Sequence, residues 1–219
     1  MPVTARNSPV LLMTGLAALL GGCASKGEID LTGGVGITAI RSACPTVGIP
    51  ASTGDVTMFD PPASRDASAI DVTALMTNVR STCNDVGTDI QTNVTFDVRA
   101  SRVNAVAARD VTLPYFIAIV RGGTSVTAKR VGRVTVHFAA GQTRASTNGQ
   151  ASTSIARSAA TLPDDVRKKL TEKRKAGGDD AAVDPLSRPE IRQAVKSASF
   201  EALVGFQLTD EQLKYNATR

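Results

Sequence analysis

Few side chains in this sequence could do covalent chemistry: three cysteines, Cys23, Cys44 and Cys83, and a single histidine, His137. A mechanism that needs an imidazole would therefore have to use His137. The alternating residues around His137 place it on the polar face of a strand, without a carboxylate and a nucleophile at informative spacing, so we interpret it as exposed and inert. The motifs Gly-x-Ser-x-Gly, His-Glu-x-x-His and the Walker phosphate loop are also missing. We predict a non-catalytic protein without a cofactor. Hydrolysis assisted by Asp or Glu stays a lower-ranked alternative, because carboxylates need no particular spacing.

Cys23 follows a segment that is typical of an export signal. Residues 1–22 contain Arg6 and then a short apolar stretch over 10–20, whereas about 20 apolar residues are needed to span a bilayer. The stretch ends in Leu20-Gly21-Gly22-Cys23, which resembles the lipobox of bacterial lipoproteins. The resemblance implies cleavage before Cys23 and acylation of its thiol, so membrane lipid would be the first partner. A plain secretory signal with a fortuitous cysteine is the alternative. Since no Asp follows Cys23, we expect the outer membrane, with the protein facing the periplasm.

Cys44 and Cys83 remain as an even pair once Cys23 is assigned to lipidation. Exported proteins fold in an oxidising compartment, so we predict a disulfide between them, two free buried thiols being the alternative. Cys44 opens the first strand region and Cys83 closes the next long strand. We therefore expect antiparallel neighbouring strands to bring the two cysteines to the same end.

Metal binding is not expected. Two cysteines and one distant histidine are too few ligands for a zinc site. Two polar clusters could offer oxygen ligands to Ca²⁺ but lack the spacing of a calcium loop: Asn84, Asp85 and Asp89, and Asp179, Asp180 and Asp184.

The hydrophobic pattern of the mature chain has a period of two. With 42% apolar residues the chain can build a core, and residues 90–100 alternate without a break between apolar and polar side chains. Similar alternation occurs over 70–77, 133–138 and 200–208, and shorter strands are expected around 56–59, 126–129 and 146–155. Residues 113–120 are apolar on both faces, which predicts a central strand. About seven such strands indicate an antiparallel β-sandwich of immunoglobulin or fibronectin type. We assign residues 23–43 to a lipidated tether and 44–219 to this domain.

Residues 161–199 interrupt the period and predict a helical insertion before the last strand. A first helix is expected over 163–175, ended by Gly177-Gly178, with acidic residues at its start and basic residues at its end, as the helix dipole favours. Ser187 and Glu190 predict a capping box for a second helix. Thr209 and Gln212 predict a third cap, for a terminal turn that folds back on the sandwich.

The first predicted helix carries the most distinctive charged surface of the sequence. Its basic residues are Arg167, Lys168, Lys169, Lys173, Arg174 and Lys175. Near a lipid tether, such a run could meet anionic lipid or polymer, or another envelope protein. A solvated helix face is the simpler interpretation. Nucleic acid is not an expected partner, because no aromatic residues are interleaved with the run and the chain has only 4% aromatics and no Trp.

Three stretches also carry a resemblance to known sequences. They are Cys44-Pro45, the strand over 113–120 with Pro114-Tyr115-Phe116, and above all Leu203-Val204-Gly205-Phe206-Gln207-Leu208-Thr209 followed by Gln212-Leu213 and Tyr215-Asn216. Together they resemble a family of uncharacterised lipoproteins of alphaproteobacteria, over roughly residues 44–216 apart from the helical insertion. The family has no assigned activity, so the resemblance implies a cellular location and a domain type but no catalytic residue. We therefore expect a membrane-anchored envelope lipoprotein that acts as a non-catalytic interaction or assembly module.

Overall fold

The computed structural model describes residues 42–172 and 183–219. Most of this part of the chain is β-structure. Its eight strands are β1 Thr46–Gly48, β2 Asp55–Phe59, β3 Ile70–Asn84, β4 Asp89–Arg102, β5 Arg109–Arg121, β6 Ser125–Phe138, β7 Arg144–Ala156 and β8 Phe200–Phe206. Its four α-helices are α1 Arg157–Ala160, α2 Asp164–Thr171, α3 Pro189–Ser197 and α4 Asp210–Thr218. The signal segment 1–22, Cys23 and nearly all of the tether lie outside the described residues.

The strands form two four-stranded sheets. One has the order β1-β8-β5-β6 and the other the order β2-β3-β4-β7. All pairs are antiparallel except β1 with β8, which is parallel. A single buried cluster includes Val94 and Phe96 of one sheet together with Val136 and Val204 of the other. The two sheets therefore pack on each other in a sandwich-like arrangement, as the sequence predicts.

The period-two pattern locates the core correctly. In β4 every second residue is buried from Ile90 to Arg102, and the residues between them are exposed or half-buried. The doubly apolar strand β5 lies inside its sheet, between β8 and β6, as expected for residues 113–120. Two stretches predicted as separate strands, 126–129 and 133–138, belong to the single strand β6. The sequence places Cys44 at the opening of a first strand region, and β1 begins two residues later, but its three residues are too few to show a period.

An aromatic pair lies between the two sheets, beside the edge strands β6 and β7. The rings of Phe96 in β4 and Tyr115 in β5 meet edge to face, with centroids 5.0 Å apart. The Tyr115 hydroxyl donates a hydrogen bond across to the Gln150 carbonyl of β7 at 2.5 Å. Gly149 and Gly132 lie against these rings, and a Cβ atom at either glycine would overlap its ring. Glycine is required there because the rings occupy the side-chain space of the edge strands.

The segment between β7 and β8 is helical, as predicted, with two differences. Helix α2 ends at Thr171, whereas the predicted helix runs to 175, and Gly177-Gly178 lies outside the described residues. The predicted capping box of Ser187 and Glu190 is wrong. Ser187 belongs to a 3₁₀ turn, Pro185–Ser187, which Asp184 caps by accepting from the Leu186 N–H. The Ser187 hydroxyl donates back to the Asp184 carbonyl at 2.7 Å, so it is not available to α3.

The C-terminal helix docks on the domain as predicted. Thr209 and Gln212 form a reciprocal capping box at the start of α4. The Tyr215 ring meets Phe59 of β2 edge to face, with centroids 5.2 Å apart. The Asn216 amide donates to the backbone carbonyls of Ser52 at 3.0 Å and Asp55 at 2.7 Å. Helix α4 is thereby fixed beside β2.

Candidate functional site

The predicted cysteine pair is a disulfide. Cys44 and Cys83 are bonded, with their Cα atoms 6.1 Å apart. The expected arrangement, in which two antiparallel neighbouring strands bring the cysteines together, is wrong. Strand β1, which follows Cys44, pairs in parallel with β8 and not with β3. Cys83 lies in β3 of the other sheet and Cys44 lies two residues before β1, so the bond ties the segment that leads into β1 to β3 instead of joining two neighbouring strands. The third cysteine, Cys23, lies outside the described residues, and its lipidation stays a prediction.

His137 lies on the exposed face of β6, as expected. Its Nδ1 is 2.6 Å from Oδ1 of Asp110, its cross-strand neighbour in β5. The two side chains are 68% and 64% exposed, so solvent surrounds the pair and no enclosed site forms around it.

The polar clusters considered for Ca²⁺ have other roles where they can be seen. Asn84 accepts a hydrogen bond from the Val86 N–H at 3.0 Å and so closes a turn. Asp184 caps the 3₁₀ turn, whereas Asp179 and Asp180 are outside the described residues. Over residues 42–172 and 183–219, no three His, Cys, Asp or Glu side chains are grouped so that they could hold a metal ion.

The predicted basic surface is described at three of its six positions. In α2, Val166 is buried while Lys168 and Lys169 are exposed. The Arg167 guanidinium forms an ion pair with Asp164 at 2.6 Å, so part of the positive charge is compensated within the helix. Lys173, Arg174 and Lys175 lie outside the described residues. Binding of anionic lipid or polymer by this run stays a prediction.

A groove that is lined by several charged side chains lies on the outer face of the sheet β2-β3-β4-β7. It has a volume of about 700 Å³. Two rows of residues cross the four strands in register and form its floor. The first row is Asp55, Leu75, Arg99 and Ser146, and the second is Thr57, Thr73, Ser101 and Arg144. Arg219, after the end of α4, completes the lining. We call this the arginine groove.

Three arginines from different elements meet in the arginine groove, and their electrostatic situations differ. Arg219 forms an ion pair with Asp55 and donates to the Thr57 hydroxyl at 3.3 Å. The side chains of Arg99 and Arg144 are exposed and make no hydrogen bond or ion pair with the described part of the chain. The only side-chain carboxylate in the lining is that of Asp55. The groove therefore carries a net positive charge.

Two carboxylates near the groove, Asp71 and Asp97, make their hydrogen bonds with residues other than the groove arginines. On one side, Asp71 forms two contacts with the Arg109 guanidinium, at 2.8 and 2.7 Å. The hydrogen bond with Asp71 raises the pKa of Arg109, so this arginine stays charged. On the other side, Asp97 accepts from the amides of Asn78 at 3.0 Å and Asn148 at 2.7 Å.

The arginine groove was not identified from the sequence. The alternation of β4 does place Arg99 on its polar face. Nothing in the local sequence connects it with Arg144 or Arg219, which come from two distant stretches of chain. Knowing that β7 pairs with β4, and in which register, is the signal that would have found it.

Comparison of the chain with known proteins gave no match among family models, curated proteins or solved structures. In the part of the chain that the structure describes, no helix has both the length and the apolar character needed to cross a membrane.

Proposed function

We propose that this protein is an exported envelope lipoprotein, held by acyl chains on Cys23 at the periplasmic face of the outer membrane, which acts as a non-catalytic interaction or assembly module. The observation that supports this best is the Cys44–Cys83 disulfide. Stable structural disulfides form in oxidising compartments and are rare in the bacterial cytosol. The chain has three cysteines, so the disulfide leaves Cys23, at the end of the lipobox-like segment, as the free thiol for acylation.

The layout of the domain supports a binding role. Strands of 13 to 15 residues hold two broad sheet faces, and the outer face of β4 and β7 presents polar side chains to solvent. Binding modules commonly use such a rigid face, because its side chains are fixed by the strand register and little order has to be gained on binding.

The narrower fold type, an immunoglobulin or fibronectin sandwich, stays a prediction. The parallel pairing of β1 with β8 is compatible with this fold type. One feature, however, favours a different connectivity of the strands. The consecutive strands β2, β3 and β4 lie side by side in one sheet, whereas constant-type immunoglobulin domains divide their strands between the sheets as ABED and CFG.

The proposed lipid-anchored location is tested by intact mass spectrometry of the protein extracted from membranes of a Gram-negative host. We expect the mass of a chain that begins at Cys23 and carries acyl groups, and a gain of two hydrogen masses on reduction of the disulfide. A Cys23→Ala variant provides the control and should be recovered without the acyl mass. Full-length, unacylated and fully reduced protein would contradict the proposal.

A further inference from the structure

We propose that the arginine groove binds a phosphate-type oxyanion carried by a hydroxyl-rich ligand, such as a sugar phosphate. The proposal depends on the proposed function only for where the protein would meet this ligand. Binding itself is a property of the folded domain and is measured separately.

The first argument is charge without an internal partner. The guanidinium groups of Arg99 and Arg144 lie in the groove without a hydrogen bond or ion pair to the described chain. Guanidinium groups carry their charge at every physiological pH and bind carboxylate or phosphate oxygens through paired N–H donors. Since Arg219 already forms an ion pair with Asp55, the one side-chain carboxylate in the lining, a negatively charged group entering the groove meets two guanidinium groups that have no carboxylate bound to them.

The second argument is the spacing set by strand register. Arg99 pairs with Ser146, and Ser101 pairs with Arg144, so the two arginines are diagonal neighbours on adjacent strands. Diagonal cross-strand neighbours have Cα atoms about 7–8 Å apart, which is within the combined reach of two arginine side chains. One oxyanion can therefore lie between both guanidinium groups while the strands stay fixed.

The third argument concerns the rest of the ligand. Hydroxyl side chains occupy the floor beside the arginines, and the hydroxyl oxygens of Thr73 and Ser101 are 2.7 Å apart. Ser146 adds another hydroxyl, and the lining contains no aromatic ring on which a base could stack. Four strands at about 4.8 Å and two rows about 7 Å apart give a floor of roughly 14 by 7 Å. That area and its hydrogen-bonding groups fit a sugar-sized polar group.

The test is titration calorimetry on the mature protein purified in detergent, with glucose 1-phosphate, inorganic phosphate and uncharged glucose as probes. We expect glucose 1-phosphate to bind more tightly than phosphate, glucose to bind too weakly to measure, and the affinity to fall as salt is added. Arg99→Glu or Arg144→Glu should weaken glucose 1-phosphate binding at least about tenfold, since each removes charge-assisted hydrogen bonds and adds repulsion. Arg144→Lys should retain part of the affinity.

Arg133→Glu is the matched control, because Arg133 is exposed on β6 of the other sheet and has the same charge change. Thermal unfolding of each variant establishes that it is folded. Equal loss of binding in Arg133→Glu and in the groove variants would overturn the proposal, and so would the absence of binding to every phosphate-bearing probe.

A second arm uses vesicles, because the same oxyanion occurs in lipid headgroups. Flotation with phosphatidylglycerol vesicles, against phosphatidylcholine vesicles, is measured for the Cys23→Ala protein. Binding that depends on Arg99 and Arg144 would identify a lipid-borne phosphate as the ligand of the groove. Vesicle binding that depends instead on Lys168 and Lys169, with no binding of soluble probes, would overturn the groove and favour the basic helix. Neither arm depends on acylation, so failure here is distinct from failure of the mass-spectrometric test.

Discussion

Arg102 is the one charged side chain that is buried among the described residues, with 5% of its surface exposed. Its guanidinium donates to four backbone carbonyls, at distances of 2.8, 2.7, 3.4 and 2.9 Å: those of Gln142, Ala107, Ala105 and Ala139. It also lies 5.0 Å from the ring centroid of Phe138. These carbonyls belong to the two loops that follow β4 and β6. One side chain therefore holds together the loops at one end of the domain and compensates its own burial through carbonyl dipoles.

Replacing Arg102 by Met should destabilise the domain by about 3 kcal/mol, because several carbonyls at the loop end lose their donor and the stem remains buried. Arg102→Lys should lie in between, since a single ammonium cannot reach both loops. Urea unfolding followed by circular dichroism measures the change. Arg133→Met, at an exposed position of β6, serves as the control and should stay within about 0.5 kcal/mol of the parent. Equal stability of the two Met variants would contradict this role of Arg102.

At the scale of the element, helix α4 positions Arg219 in the arginine groove. Its capping box fixes where it begins, Asn216 fixes it to the backbone beside β2, and Arg219 extends from its end into the groove. At its first turn, the pKa of Glu211 is lowered, mainly by a hydrogen bond from its own backbone N–H and then by the Thr209 hydroxyl. The free donors at the start of a helix stabilise a carboxylate in this way.

Because the pKa of Glu211 is lowered, its contribution to the stability of the folded state depends on pH in a defined direction. The folded state binds this proton less readily than the unfolded state, in which the pKa of Glu211 is near the ordinary value of 4.5. The contribution to stability is therefore complete above that value and is lost as the pH falls through the lower pKa of the folded state. Glu211→Gln should lower the urea midpoint at neutral pH and reduce the fall in midpoint between about pH 5 and about pH 3. Parallel pH profiles for the parent and the variant would contradict the assignment.

At the scale of the whole molecule, the Cys44–Cys83 bond fixes the segment before β1 to β3 of the other sheet. It closes a sequence separation of 39 residues, which contains β1, β2 and most of β3. The constraint acts mainly on the unfolded chain, whose freedom it reduces.

Removing both thiols, in Cys44→Ser with Cys83→Ser, should lower the free energy of unfolding by about 4 kcal/mol on the chain-entropy model. Guanidinium denaturation measures the loss. Reductant should destabilise the parent to a similar degree and leave the double variant unchanged. A parent whose stability is the same with and without reductant would show that the bond contributes little.

The sequence by itself determined the features that follow from local periodicity and chain chemistry. The alternation of β4, the doubly apolar β5, the capping box of Thr209 and the pairing of Cys44 with Cys83 could all be predicted, because neighbouring residues or simple counting carry the signal. The Ser187 cap failed because Ser187 lies in a 3₁₀ turn that Asp184 caps, and α3 begins after Arg188 instead. The local pattern does not show that this turn precedes the helix.

Only the tertiary structure decided which strands are neighbours and in what register. The parallel pairing of β1 with β8, the disulfide from the segment before β1 to β3 and the meeting of Arg99, Arg144 and Arg219 all depend on it. A strand's side-chain period is the same whichever partner it has, so the period reveals the face of a residue and not its neighbour. The candidate binding site consists of such neighbours, and it therefore came from the fold.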